Sequence, residues 1–182
     1  HDWDSTQVPI LADLTIGGQP RKVLMTANRT GFYYTLDRTN GRLIVAKPFV
    51  TTTWAKEVGV DGRPILLPGY IPDEKGQLTC PDITGGTNFW PPAYDANSKL
   101  FLVNAREVCA TYYAWKPEFT QGDRYTGGAA QRARDRNNQP YGALRATDPA
   151  TGARNWKFKY LNPSSSGVLR TARILDFSGA LE

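Results

Sequence analysis

ATDPATGARNW, residues 146–156, has the form A-x-D-x-x-T-G-x-x-x-W. The side chain of Asp148 can close a turn on the backbone of Thr151 and Gly152. Glycine supplies the positive φ of a tight connection, and Trp156, eight residues after the Asp, can lie against a neighbouring sheet. The surrounding segment, GALRATDPATGARNWKFKY (142–160), therefore reads as an antiparallel hairpin. GFYYTLDRTNGRLIVAKPF (31–49) repeats the pattern in part, with Asn40 and Gly41 in register after Asp37 but Val45 where the indole would stand. KLFLVNAREVCATYYAW (99–115) is a third segment with two strand-like runs about a polar turn and reads as a third hairpin. Nothing between these segments keeps a 3.6-residue apolar period, so little helix is expected. Recurring hairpins of one texture point to a repeat architecture, in which each sheet needs its neighbour to bury a face.

At 182 residues, 40% apolar and 12% aromatic, the chain has the composition of a globular domain and can bury one ordinary core. No apolar run approaches the roughly 20 residues of a membrane span, so no membrane span is expected. The first residues lack the basic and apolar regions of a secretory signal. Leu181 and Glu182 read as the remnant of a cloning site, leaving 1–180 as one domain, and the chain reads as a piece of something longer. The net charge of +5 would suit an anionic partner, but part of it comes from Arg132, Arg134 and Arg136 in a stretch that reads as a solvated loop. No nucleic-acid motif surrounds them, and no nucleic-acid partner is expected. Cys80 and Cys109 have no metal-site or redox-motif spacing, which leaves one disulfide or two buried thiols. A single histidine, His1, makes a zinc site or a Ser/His/Asp triad improbable.

The 146–156 pattern resembles the tryptophan-docking motif of the pyrroloquinoline quinone (PQQ) dehydrogenases, methanol and alcohol dehydrogenases built as eight-bladed β-propellers. HDWDSTQVPILADL (1–14), NRTGFYYTLDRTNGRL (28–43) and CPDITGGTNFWPPAYD (80–95) are similar to three further motifs of that family, in the same order. The resemblance implies an all-β fold: a partial propeller of antiparallel four-stranded blades, about three of eight. It also implies a periplasmic enzyme that oxidises a primary alcohol to an aldehyde by hydride transfer to PQQ. Calcium or a lanthanide would assist, and a cytochrome c-type protein would accept the electrons. The family's vicinal Cys-Cys pair, the Trp stacked on the quinone and the metal-binding Glu and Asn have no counterpart in these residues. The chain alone is therefore expected to be inactive, and to self-associate through uncovered blade faces.

By position, the resemblance makes Asp2 the general base that takes the alcohol's hydroxyl proton, a role that needs an ionised carboxylate in a dry site. His1 then fills the place of a family Trp. Asp4, two residues on, matches an extra carboxylate of lanthanide-dependent members, where one more oxygen anion suits a trivalent hard cation. Arg29 matches the Arg that bonds the quinone's reactive oxygen and the catalytic Asp, tasks suited to a permanently charged, forked donor. Asn88 matches a residue at the quinone's edge. Thr87 and Trp90 are candidates for the same wall, although Trp90, before two prolines, reads equally well as packing. Cys80 and Cys109 match a family disulfide, which implies an oxidising compartment. In GVLRTARILDFSG (167–179), Arg170, Arg173, Ile174 and Asp176 depart from the family pattern. Asp176 interrupts an apolar strand, and the sequence offers no physical account of these changes. Two other functions fit the composition: a non-catalytic propeller scaffold, in which Asp2, Arg29 and Asn88 would not converge, and a sugar-binding β-domain.

Overall fold

A computed structural model of the chain describes residues 3–132, 139–173 and 175–179. His1, Asp2, Arg134, Arg136, Ile174, Leu181 and Glu182 lie outside them. The described residues hold fifteen strands and no helix. The first sheet is a four-stranded meander of β1 (Ile10–Ile16), β2 (Gln19–Ala27), β3 (Phe32–Asp37) and β4 (Leu43–Pro48). Its second half is the hairpin expected at 31–49. The sequence reading missed its first half, although the signal was there. Gly17-Gly18 sit at φ 61° and 75° between Ile16 and Gln19, a two-residue loop that glycine pairs favour.

The second sheet has the order β13-β12-β9-β8, from β8 (Ala93–Asp95), β9 (Leu100–Glu107), β12 (Tyr141–Thr147) and β13 (Arg154–Lys159). The hairpin expected at 142–160 is β12–β13, with Ala146 opposite Trp156. The one expected at 99–115 does not form. After β9 the chain leaves the second sheet, and β10 (Ala110–Ala114) pairs instead with β11 (Gly128–Arg132) and β7 (Gln77–Thr79) in a separate three-stranded sheet. The turn texture at 99–115 was genuine; its strands belong to different sheets because β12 and β8 already occupy both edges of β9. Two ribbons complete the architecture, β5 (Ala55–Val58) with β6 (Pro64–Leu66) and β14 (Val168–Arg170) with β15 (Asp176–Ser178).

Strand β9 is buried on both faces, as its near-continuous apolar run requires. Phe101, Val103 and Ala105 pack against Val23, Met25, Ala27, Tyr33 and Val45 of the first sheet, with the Tyr33 and Phe101 rings 5.0 Å apart. On the other face Leu102, with Leu144, meets Val168 of β14, and Trp156 and Tyr160 pack on that cluster. The result is three stacked layers, the third represented by the β14–β15 hairpin. Between the first two layers, Thr35 Oγ1 donates to Pro149 O (2.7 Å), and buried Arg145 reaches Phe49 O and Glu107 (2.7 Å). Gly152 is required by this contact, since a Cβ there would lie 2.6 Å from Lys47 and 2.8 Å from Val45.

The turn chemistry read from 146–156 is present, with Thr151 Oγ1 donating to Asp148 (2.9 Å) and Gly152 N to Asp148 O (2.7 Å). The Asp37 copy forms in the same way, and Gly41 N donates to Asp37 O (2.8 Å). A third copy escaped the sequence reading. Asp95 accepts from Asn97 N (3.0 Å) and Ser98 Oγ (2.6 Å), and Lys99 takes φ 56° where the other copies have glycine.

The departures near the end also find their reason. Arg170 and Asp176 face each other across β14–β15 and pair at 2.6 Å, while the same guanidinium reaches Asp95 at 2.7 Å. Asp176 interrupts an apolar strand because it completes this pair, which fastens the third layer to the turn of the second. Nothing in the structure explains Arg173.

Candidate functional site

Two turns of the same construction lie against each other at one end of the first sheet. Asn28-Arg29-Thr30-Gly31 joins β2 to β3, and Asp82-Ile83-Thr84-Gly85 follows Cys80-Pro81. In each, the first side chain accepts from the N–H two residues on, Thr30 to Asn28 Oδ1 at 3.1 Å and Thr84 to Asp82 Oδ1 at 3.0 Å. In each, its backbone carbonyl accepts from the glycine N–H, at 3.0 Å and 2.9 Å. Each glycine is left-handed, Gly31 at φ 95° and Gly85 at φ 93°. The turns then lock together. Arg29 Nη2 donates to Ile83 O, and Gly86 N donates to Arg29 O (3.0 Å). A Cβ on Gly85 would fall 2.6 Å from Arg29 Cβ and 2.7 Å from its Cα, so only glycine permits the approach.

The segment at 3–5 spans both turns. Trp3 Nε1 donates to Asp82 O (3.0 Å), and Asn28 Nδ2 donates to Ser5 Oγ. The Trp3 ring lies 5.4 Å from that of Trp54, whose Nε1 donates to Thr30 O (2.9 Å). Asp4, between these anchors, is exposed. A cleft of about 1270 Å³ opens beside them along the outer face of the first sheet, lined by Trp3, Ser5, Asn28, Thr30 and Tyr34 among others.

Beneath the second turn the surroundings are charged and dry. Asp82 is 1% exposed, and burial pushes its carboxyl above the usual carboxylate range, against the opposing pull of Arg106, Arg132 and the turn N–H groups. Its Oδ2 lies 3.6 Å from Arg132 Nε. Arg106, whose guanidinium burial makes less basic, lies 5.8 Å over the Trp90 ring and donates to Ser164 O (3.2 Å). Trp90 is thus a packing partner for Arg106. Burial and the Asp82 charge push the Tyr112 phenol up, and the Ile83 backbone hydrogen-bonds it. Cys80 and Cys109 are bonded, joining the second turn to the start of β10.

The structure therefore brings Arg29 and the loop carrying Thr87 and Asn88 together. Asn88 Nδ2 donates to Thr84 O (2.8 Å), and its Oδ1 accepts from Phe89 N (2.8 Å), so the carboxamide is held by its own loop. Thr87 is 2% exposed, and its Oγ1 has no hydrogen-bond partner among the described residues. Asp2 lies outside them, although its neighbour Trp3 is pinned. Among the described residues no three His, Cys, Asp or Glu side chains converge as a metal cluster would require. Sequence reasoning missed Asp82, Trp54 and Tyr112. The repeated N-R-T-G and D-I-T-G was the signal that would have found Asp82.

No protein-family model matches the chain. The quinohemoprotein alcohol dehydrogenase of Comamonas testosteroni is 34% identical over 190 residues, covering 100% of this chain and 27% of that protein. Its crystal structure superposes with a TM-score of 0.87 over 98% of this chain and 28% of its own, at 33% identity. Along its whole length the chain is homologous to part of the PQQ-dependent alcohol dehydrogenases. A europium-containing methanol dehydrogenase matches with a TM-score of 0.84 and 34% identity over 97% of this chain and 32% of its own. The 1-butanol dehydrogenase (cytochrome c) of Thauera butanivorans is 30% identical over 195 residues, 100% of this chain and 28% of that protein. The chain thus spans under a third of the quinoprotein relatives it matches, and its stacked antiparallel layers correspond to part of their β-propeller.

Proposed function

We propose that the whole protein to which these residues correspond is a periplasmic PQQ-dependent alcohol dehydrogenase that oxidises a primary alcohol to an aldehyde. The observation that carries this reading is the locked pair of turns, which sets Arg29 against the loop of Thr87 and Asn88 in a chain homologous throughout to quinoproteins. The residues fit a planar, oxygen-edged ligand. Thr87 Oγ1 is enclosed without a partner, Arg29 Nε is likewise unbonded, and Asn88 Nδ2 keeps a second hydrogen after its bond to Thr84. The bound quinone would supply the hydride acceptor. Arg29 would direct guanidinium donors at the oxygen where negative charge develops, and Thr87 and Asn88 would hold the edge. Asp2 would accept the alcohol's hydroxyl proton. The scaffold alternative expects Asp2, Arg29 and Asn88 not to share one pocket; the bond from Gly86 N to Arg29 O, two residues before Asn88, favours the catalytic reading.

Calcium or a lanthanide is the expected metal, and Asp4 is the residue of this chain proposed to bias the choice toward a lanthanide, in keeping with the europium-containing relative. The electron acceptor would be a cytochrome c-type protein, as the name of the Thauera relative suggests. These 182 residues alone turn over no alcohol and self-associate. The test is alcohol oxidation by the full-length protein with a dye acceptor. Arg29→Ala should lower kcat by about 10²–10³-fold with PQQ still bound, as loss of an oxyanion donor does. Unchanged turnover in that variant overturns the reading.

A further inference from the structure

Arg29 is aimed by a turn that copies its own. We infer that Asp82 is a positioning residue for Arg29, acting through the Ile83 carbonyl; this rests on the role proposed for Arg29 above.

Ile83 occupies in its turn the place that Arg29 occupies in the other, so the guanidinium of one turn is received by the peptide of its copy. The direction of that carbonyl is set by its flanks. On one side Asp82 Oδ1 accepts from Thr84 N (3.0 Å) and Gly85 N (3.3 Å), closing the turn around Ile83. On the other, Asp82 N donates to Val108 O (2.8 Å), and Asp82 O accepts from Trp3 Nε1 (3.0 Å), fixing the turn to the disulfide strand and to the segment at 3–5. The carboxylate is thus the only side chain of the turn that bonds across Ile83 among the contacts described. Its Oδ2 makes no hydrogen bond among the described residues and lies 3.6 Å from Arg132, so Oδ1 carries the work on the turn. Asn28, which closes the partner turn with the same atom, shows that a carboxamide suffices for this geometry. A side chain that only filled space beneath the loop would have no reason to place a polar acceptor at 1% exposure, where a buried polar group is costly unless bonded. Without the acceptor at Oδ1, Gly85 N keeps only the Asp82 carbonyl, the Thr84 N–H that shares a peptide plane with Ile83 O loses its partner, and Arg29 Nη2 faces a carbonyl whose direction is no longer held from that side.

The experiment reads the arginine side chains of the 15N-labelled 182-residue chain by NMR, with Arg29→Lys assigning the Arg29 signals. Arg145, fixed by Phe49 O and Glu107 between the first two layers, reports folding in the same spectrum. Asp82→Ala should collapse the resolved Arg29 Nη signals to the averaged signal of a free guanidinium while those of Arg145 stay resolved. Asp82→Asn, which keeps the Oδ1 acceptor, should restore the Arg29 signals. Resolved Arg29 signals in the Ala variant, or equal loss in the Asn and Ala variants, overturn the inference, as do averaged Arg29 signals in the unaltered chain. If the Ala variant does not fold, Asp82→Ser decides, since a hydroxyl closes such a turn more weakly than a carboxylate. Broadening of the Thr84 amide and the Arg29 Nη signals together supports the role; broadening of the Thr84 amide alone overturns it. None of these signals needs a quinone, so this result and the turnover of Arg29→Ala fail independently.

Discussion

Gly85→Ala tests whether the two turns are locked by contact or merely adjacent. Gly85 has φ 93°, and placing an L-residue in the left-handed region costs roughly 1–2 kcal/mol by itself. The new Cβ would also lie 2.6 Å from Arg29 Cβ, 2.7 Å from Arg29 Cα and 2.8 Å from Arg29 O. Two of those atoms are backbone and cannot swing away, so the turns must part. Parting them breaks the Gly86 N–H bond to Arg29 O, worth about 1 kcal/mol net. The expected loss is about 2–3 kcal/mol once the broken bond is included, which at an m-value near 2 kcal/mol/M lowers the urea midpoint by about 1–1.5 M. Gly41→Ala is the control, because Gly41 has φ 75° but nothing within 4 Å of its would-be Cβ. It should cost only the conformational part, about 1–2 kcal/mol. The two midpoints are measured side by side on the 182-residue chain by fluorescence. Equal shifts would refute the reasoning, since the turn approach would then contribute nothing.

Other consequences follow from the same structure. A double-mutant cycle on Arg170→Leu and Asp176→Leu should give a coupling of roughly 1–3 kcal/mol, since the pair meets at 2.6 Å with side chains 10% and 15% exposed; additive losses would remove its role in fastening the third layer. The Asp95 carboxyl is held down to about 2, chiefly by the Ser98 hydroxyl and with help from neighbouring N–H groups and Arg170. Its ionised form is favoured in the folded state, so its stabilisation is present above pH about 4 and is lost as pH falls towards 2. Asp95→Asn should flatten the stability profile in that window, and an unchanged profile there would contradict it. Reducing Cys80–Cys109, which closes a loop of 29 residues, should lower stability by roughly 3–4 kcal/mol, read from denaturation with and without reductant; thiols that alkylate before reduction would disprove the bridge. Light scattering of the isolated chain should show a mass above 20.2 kDa that falls on dilution, whereas a monomer at high concentration would count against self-association.

The layers could be read from sequence wherever local chemistry decides them. Asp148, Thr151 and Gly152 close their turn with atoms no more than four residues apart, so the hairpin at 142–160 is written in that stretch alone. The 99–115 segment failed for the converse reason. Its two strands are good strands, but which edge each one meets is settled by β7, β8, β11 and β12, which lie elsewhere in the chain. Arg29, Thr87 and Asn88 were reached through motifs, which locate residues without stating what holds them. The match between N-R-T-G and D-I-T-G marks Asp82 as a turn residue, but gives no sign that the carbonyl beside it receives Arg29.

The sequence by itself determined an all-β chain of antiparallel hairpins, its kinship with quinoprotein dehydrogenases and the candidate site residues Arg29, Thr87 and Asn88. Those properties depend on turn residues, strand-forming runs and motif order, all readable over short distances. Only the tertiary structure decided that the Asn28 and Asp82 turns, 54 residues apart, close on each other around Arg29, and that Arg170 and Asp176 form one pair with Asp95. Such choices arise when backbone carbonyls and buried charges must find partners as sheets stack, and those partners exist only once the layers have met.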